Sequence, residues 1–197
     1  MNRDKKDVVR TLATIFFRDY GIKNVSMDDI AANCGISKRT LYGLFKNKKE
    51  IVSTIVQSEM ERMTLDLSEI NKTASNEVME IKSVLNYVSK VYNSISPTLL
   101  NDLKKGDRAI HSDLVGFKDR TIKEFFVRNI TDGKQEGFYK DTIDADEVAK
   151  SYLRILNTFF AGKLHVSDGH QGQTLEFINN LFVRRLVTKK ADRFLTV

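Results

Sequence analysis

Apolar residues recur along this chain with the three-and-four spacing of helices, and no stretch alternates long enough to compete as a strand. Val8, Val9, Leu12, Ala13, Phe16 and Phe17 predict a first helix over Lys5 to Tyr20, ended by Gly21. A second starts at Ser26 and stops at Gly35, and a third covers Lys38 to Phe45. Asn47 caps a long helix from Lys48 to about Leu67, with Ile51, Ile55, Met60, Met63 and Leu67 as its stripe, and Asn71–Asn76 reads as a loop. Val78, Ile81, Val84, Leu85, Val88 and Val91 place a helix over Glu77 to about Ile95. Ser96-Pro97 opens a short one that runs to Lys105 and stops at Gly106, since proline at the first position has no hydrogen bond to lose. Asp107–Asp113 reads as a turn or a short helix, and Leu114 to about Asp132 as a helix followed by a link to Asp141. Asp144 to Glu147 has the form of a capping box, starting a helix that reaches about His165. After a polar loop, Ser167–Gly172, the last helix runs from Thr174 to about Lys189.

One stretch concentrates the interpretable detail. In Ser26–Lys48, SMDDIAANCGISKRTLYGLFKNK, Ser26 caps a short helix and Asp29 places a carboxylate near its positive end. Ile30 and Ala31 face inward, and Gly35 sits where a left-handed residue ends a helix cheaply. Ser37 then caps a second helix, whose Leu41, Leu44 and Phe45 point inward while Lys38, Arg39, Thr40, Tyr42 and Gly43 point out. A short helix, a glycine turn and a helix with a basic, hydroxyl-rich outer face describe a helix-turn-helix.

The details resemble one family in particular. Ala13-x-x-x-Phe17-x-x-x-Gly21, Val25-Ser26, Ile30-Ala31, Gly35-Ile36-Ser37, Thr40-Leu41-Tyr42, Phe45 and Asn47-Lys48 resemble the DNA-binding domain of the TetR/AcrR bacterial repressors. The likeness covers roughly residues 8–55; the rest carries no alignable motif. It implies an all-α fold, with a three-helix helix-turn-helix domain over 1–48 and a larger helical ligand-binding and dimerisation domain over 49–197. It also implies a homodimer through the last two long helices, whose apolar surface exceeds what one bundle face needs. Two-fold symmetry then sets two reading helices about 34–36 Å apart on a palindromic operator in double-stranded DNA. Tyr42 matches a tyrosine that bonds a phosphate in the family, and Ser26 and Lys48 are phosphate candidates by the same matching. Arg3, Lys5, Lys6 and Arg10 stand where relatives bring the first helix to the DNA backbone, or simply form a solvated face. The chain departs from the family at Arg39, where glycine is common, and at Gly43, where relatives often carry an aromatic ring.

Composition sharpens this. The net charge of +6 is concentrated, since residues 1–50 hold 11 Lys/Arg and 6 Asp/Glu, leaving only +1 on the remaining 147. One basic end is what neutralising phosphates requires. The single cysteine excludes an internal disulfide framework and suits a reducing cytoplasm. No apolar run approaches the ~18 residues of a membrane span, and MNRDKKDVVR lacks a signal-peptide core.

Lys38 and Arg39 lie in the first turn of the reading helix, where arginine can bond guanine bidentately; Arg39 reads a base, or else meets phosphate or solvent. Thr40 contacts a thymine methyl or a phosphate, and Ser37, Lys46 and Lys48 complete the DNA-facing set with Ser26 and Tyr42. Lys48 and the free N–H groups of its helix form a candidate phosphate cradle. Cys34 is a small buried residue by default and a thiol sensor as the rival reading. His111, His165 and His170 lack metal-ligand spacing, so no metal or cofactor is expected. Tyr87, Tyr92, Phe117, Arg120, Tyr152 and Phe159 are candidates to line an effector cavity, with plain core as the alternative. No glycine phosphate loop, zinc dyad or nucleophile–base pair supports an enzyme. The expected function is a ligand-responsive repressor released from its operator by a small molecule; an activator of the same fold, or an interaction protein with a silent helix-turn-helix, are the alternatives.

Overall fold

The computed structural model describes residues 2–161 and 171–195. Its elements are α1 (Asn2–Tyr20), α2 (Met27–Asn33), α3 (Lys38–Leu44), α4 (Lys48–Thr73), α5 (Glu77–Ser94), α6 (Pro97–Gly106), α7 (Arg108–Gln135), α8 (Ala145–Phe160), α9 (Gln171–Leu186) and a 3-10 helix, Lys189–Phe194. The all-α class is as expected: among the described residues the one β-type contact is an isolated antiparallel bridge between Tyr139 and Val187.

Packing divides the chain into two compact units. One comprises residues 1–63 and 95–115, the other residues 64–94 and 116–197. In the first, Val9, Ala13 and Phe17 of α1 meet Ile30 and Ala31 of α2, Leu41 and Leu44 of α3, Phe45, Ile51 and Val52 of α4, and Leu103 and Ile110. Leu41, Phe45 and Ile51 are at most 1% exposed, so α3 has a fully buried inner face. Gly21 ends α1 at φ +81°, and a Cβ there would stand 2.8 Å from Asp102 Oδ2. That carboxylate accepts the Lys23 N–H at 3.0 Å, so the tight turn after α1 and the arrival of α6 depend on the same small residue.

The second unit is built around Val78, Ile81, Val84 and Leu85 of α5, Ile122, Phe126 and Ile130 of α7, Tyr152, Leu156 and Phe159 of α8, and Leu175, Val183 and Leu186 of α9. Two buried polar clusters run through it. Glu80 accepts from Asn71 at 2.8 Å, from Arg128 Nη2 at 2.5 Å and from Asn129 at 2.8 Å. The Tyr139 hydroxyl lies 2.9 Å from both the Asn129 Oδ1 and the Glu77 carbonyl. In the other cluster Tyr152 donates to Asn179 Oδ1, and Asn179 donates to Ser89 Oγ and the Leu85 carbonyl.

Several expected boundaries move. The helix α1 begins at Asn2, three residues earlier. The loop expected over Asn71–Asn76 starts only at Ala74, because Ile70 packs on the core and Asn71 is anchored on Glu80. The turn or short helix expected over Asp107–Asp113 and the helix after it are one 28-residue helix. Asp107 accepts the Ile110 N–H at 3.2 Å and ion-pairs with Lys49 at 2.7 Å, so it caps α7 directly after α6. The last helix begins earlier, at Gln171, so Gly172 belongs to it, and it ends earlier, at Leu186. There the Lys140 N–H bonds to the Leu186 carbonyl at 3.1 Å and the Thr188 N–H to the Phe138 carbonyl at 2.8 Å, pulling the chain out of the helix. The 3-10 helix after it was not foreseen. The helix expected to reach His165 ends at Phe160; the rest of that expectation, with the loop over 167–170, lies outside the described residues, as do His165 and His170.

Candidate nucleic-acid interface

The helix-turn-helix is built by its caps. Ser26 Oγ accepts the Asp29 N–H at 3.1 Å while the Asp29 carboxylate accepts the Ser26 N–H at 2.8 Å, a complete capping box for α2. The Ser26 hydroxyl also donates to Asp29 Oδ2 at 2.6 Å, and this bond and the one from the Ser26 amide hold the Asp29 carboxyl below its ordinary value. Gly35 turns at φ +63°, and Ser37 caps α3 by accepting the Thr40 N–H at 3.1 Å. The Asn47 side chain accepts the Glu50 N–H at 3.0 Å and starts α4. Each of these ends was set by a residue type with the right chemistry at the right place.

With its inner face locked in the core, α3 presents Lys38, Arg39, Tyr42 and Gly43 to solvent, with Thr40 half-buried. These groups are not equivalent. Lys38 Nζ donates to Asp28 Oδ2 at 2.5 Å, which raises the lysine's pKa. The Thr40 and Ser37 hydroxyls lie 2.8 Å apart. Arg39 has no polar partner among the described residues. Tyr42 is 53% exposed. Lys46 is exposed, its N–H donating to Glu50 at 2.6 Å.

Lys48 is differently placed from what its motif position suggested. Its ammonium, half-buried, donates to the Ile22 carbonyl at 2.8 Å and the Val25 carbonyl at 2.7 Å. Two of its three protons therefore fasten the α1–α2 connection to the start of α4.

The sequence profile described as "Bacterial regulatory proteins, tetR family" matches residues 11–55, the segment just described. The HTH-type transcriptional regulator YvaF of Bacillus subtilis is 30% identical over 124 residues, covering 61% of this chain and 60% of that protein. The aligned stretch thus spans less than two thirds of that relative. Residues 11–55 are a tetR-family segment, and the comparisons together support a TetR-family regulator.

The fold of the chain recurs in solved structures. A transcriptional regulator from Cytophaga hutchinsonii superposes with a TM-score of 0.76 at 16% identity, over 92% of this chain and 98% of that one. AibR, solved in complex with isovaleryl coenzyme A and operator DNA, superposes with a TM-score of 0.63 at 19% identity, over 90% and 97%. At such identities the likeness is one of fold.

The effector candidates are spread over different environments. Tyr152 and Phe159 are at most 2% exposed; burial raises the Tyr152 phenol's pKa, and its hydrogen bond to Asn179 at 3.0 Å only partly offsets this. The Tyr92 ring stands edge-on to Phe159 and Phe160, its centroid 5.6 and 5.2 Å from theirs. Tyr87 and Phe117 are half-buried, and Arg120 is exposed. Desolvation raises the Cys34 thiol, which disfavours the reactive thiolate, and among the described residues no three His, Cys, Asp or Glu side chains are grouped to hold a metal. No described helix is long and apolar enough to cross a membrane.

Two polar partners escaped sequence reasoning. Asp28 lies ten residues before Lys38, and Asp102 lies 79 residues after the Lys23 amide it accepts from. Neither spacing belongs to a helical period, so only the assembled unit brings these groups together.

Proposed function

We propose that this chain is a ligand-responsive repressor that binds a palindromic operator in double-stranded DNA as a homodimer. The observation that carries the reading is Arg39, partnerless and exposed in the first turn of a helix whose opposite side chain, Leu41, is wholly buried. A guanidinium on so fixed a base suits bidentate reading of guanine in the major groove. Lys38 and Thr40 flank it, while Ser26, Ser37, Tyr42 and Lys46 meet phosphates, and Lys48 keeps one proton for the same purpose. Residues 1–48 do the DNA reading; residues 49–197 bind the effector and a second copy.

Phe177 and Leu181, 63% and 51% exposed and one turn apart on α9, support self-association through α8 and α9. Tyr87, Tyr92, Phe117, Arg120, Tyr152 and Phe159 are the residues proposed to bind the effector, and a small-molecule effector is supported by AibR, solved with isovaleryl coenzyme A and operator DNA. The cytoplasm is the compartment such a protein works in. Selection of bound sequences from a random duplex pool tests the proposal. A palindrome with half-sites one helical turn apart is the expected product, and a pool that shows no enrichment over input would refute it.

A further inference from the structure

The DNA-reading surface carries a carboxylate that phosphate binding alone does not explain. Asp28 stands in the first turn of α2, and its Oδ2 receives the Lys38 ammonium at 2.5 Å. Both side chains are solvent-exposed, 65% for Lys38 and 56% for Asp28, so no desolvated core fixes this pair. Its effect falls instead on what the surface can do. The hydroxyls of Thr40 and Ser37 face one another, and Lys38 is neutralised across the turn. Arg39 is left as the one cation of α3 with no partner among the described residues.

A lysine free to meet phosphate strengthens binding to every sequence alike. A lysine held by a carboxylate does so only by leaving it, and the carboxylate then faces a polyanion alone. Suppressing sequence-independent contacts raises the ratio of specific to non-specific binding, which decides occupancy among many competing sites.

We propose that Asp28 is a positioning residue that withholds Lys38 from the phosphates of non-cognate DNA, so that discrimination in the first turn of α3 falls to Arg39. This rests on the DNA-binding reading above. The same ammonium is held more firmly in its charged form by the Asp28 hydrogen bond, which the pairing requires.

The test compares wild type, Asp28→Asn, Lys38→Met and the double variant. Fluorescence anisotropy follows binding to a random-sequence duplex and to a duplex taken from the selection, between 50 and 200 mM salt. Asp28→Asn is expected to bind the random duplex more tightly, with a salt slope steeper by about 0.9 per protomer, or roughly 3.5-fold more loss across that fourfold range. Its specificity ratio should fall. In the Lys38→Met background the same Asp28→Asn change should no longer move the slope.

Three results would overturn the proposal. One is a wild-type slope in Asp28→Asn. Another is an equal gain with and without Lys38, which would make Asp28 only a repelling charge. A lowered melting temperature together with weaker binding in Asp28→Asn would also overturn it, by showing that Asp28 supports α2 rather than positions Lys38. Failure of the DNA-binding reading looks different: none of the four proteins then binds either duplex at 50 mM salt.

Discussion

Replacing Lys48 with methionine isolates the role the structure gives its ammonium. Methionine keeps an unbranched apolar stem but withdraws two hydrogen bonds, of 2.8 and 2.7 Å, from the carbonyls of Ile22 and Val25. A hydrogen bond with a charged partner contributes about 1.5–3 kcal/mol. The site is only half-buried, so water can reach the released carbonyls and the pair falls toward the lower end, roughly 2–3 kcal/mol in all. For a chain of this length each kcal/mol moves the melting temperature by about 2–4 °C, so a fall of roughly 5–10 °C is expected. Circular dichroism at the helical band gives the melting curve directly. If Lys48→Met melts within about 1 °C of wild type, the two bonds hold nothing, and the side chain's value lies wholly in contacts made elsewhere.

The remaining expectations concern the second unit and the second copy. The Glu80 carboxyl is lowered: burial opposes this, but the hydrogen bonds from Arg128, Asn71 and Asn129 outweigh it. A lowered folded value means its stabilisation is present above the ordinary value of 4.5 and lost as pH falls through the folded one. Wild type should therefore exceed Glu80→Gln in urea stability at pH 7, with the gap closing as pH falls below the ordinary 4.5 and through the lowered folded value; a gap that stays constant would contradict the assignment. Tyr139→Phe withdraws a hydroxyl from the Asn129 oxygen and the Glu77 carbonyl at a site 1% exposed, and should cost about 1–3 kcal/mol by urea denaturation. A variant as stable as wild type would show that the ring packing against Gly133, not the hydroxyl, carries Tyr139's contribution. Leu181→Glu places a charge in the exposed apolar turn of α9 and should give a monomer by light scattering with unchanged helix content; a persistent dimer would move the interface elsewhere.

Local chemistry made most helix ends legible from residue order. Ser26, Ser37, Asn47 and Asp144 are caps whose side chains accept N–H groups three residues on, and Gly21 and Gly35 take the positive φ that ends a helix. The core faces of α3 and α5 followed from the helical period, as did Val9, Ala13 and Phe17 of α1, whereas Val8, expected on the same face, is 53% exposed because it lies beside that stripe rather than in it. What stayed hidden depends on distant partners. Asp107 reads as a turn residue until Lys49 and the Ile110 amide are beside it. The early end of α9 needs residues 138–140 as hydrogen-bond partners, and Asn71 continues α4 because Glu80 waits nine residues on. At the candidate interface the sequence pointed to which side chains face outward, but not that Lys38 is held by Asp28 or that Lys48 turns back on its own chain.

Everything functional here converges on one guanidinium. The most direct measurement is the ratio of affinities for the selected duplex and a random duplex, compared between wild type and Arg39→Ala at fixed salt. In the dimer Arg39→Ala removes two bidentate base contacts of about 1–3 kcal/mol each, so the ratio should fall by roughly 30-fold or more while binding to random DNA changes little and the melting temperature holds. A ratio unchanged by Arg39→Ala would contradict the account, because the helix it projects from would then not be the one that reads DNA.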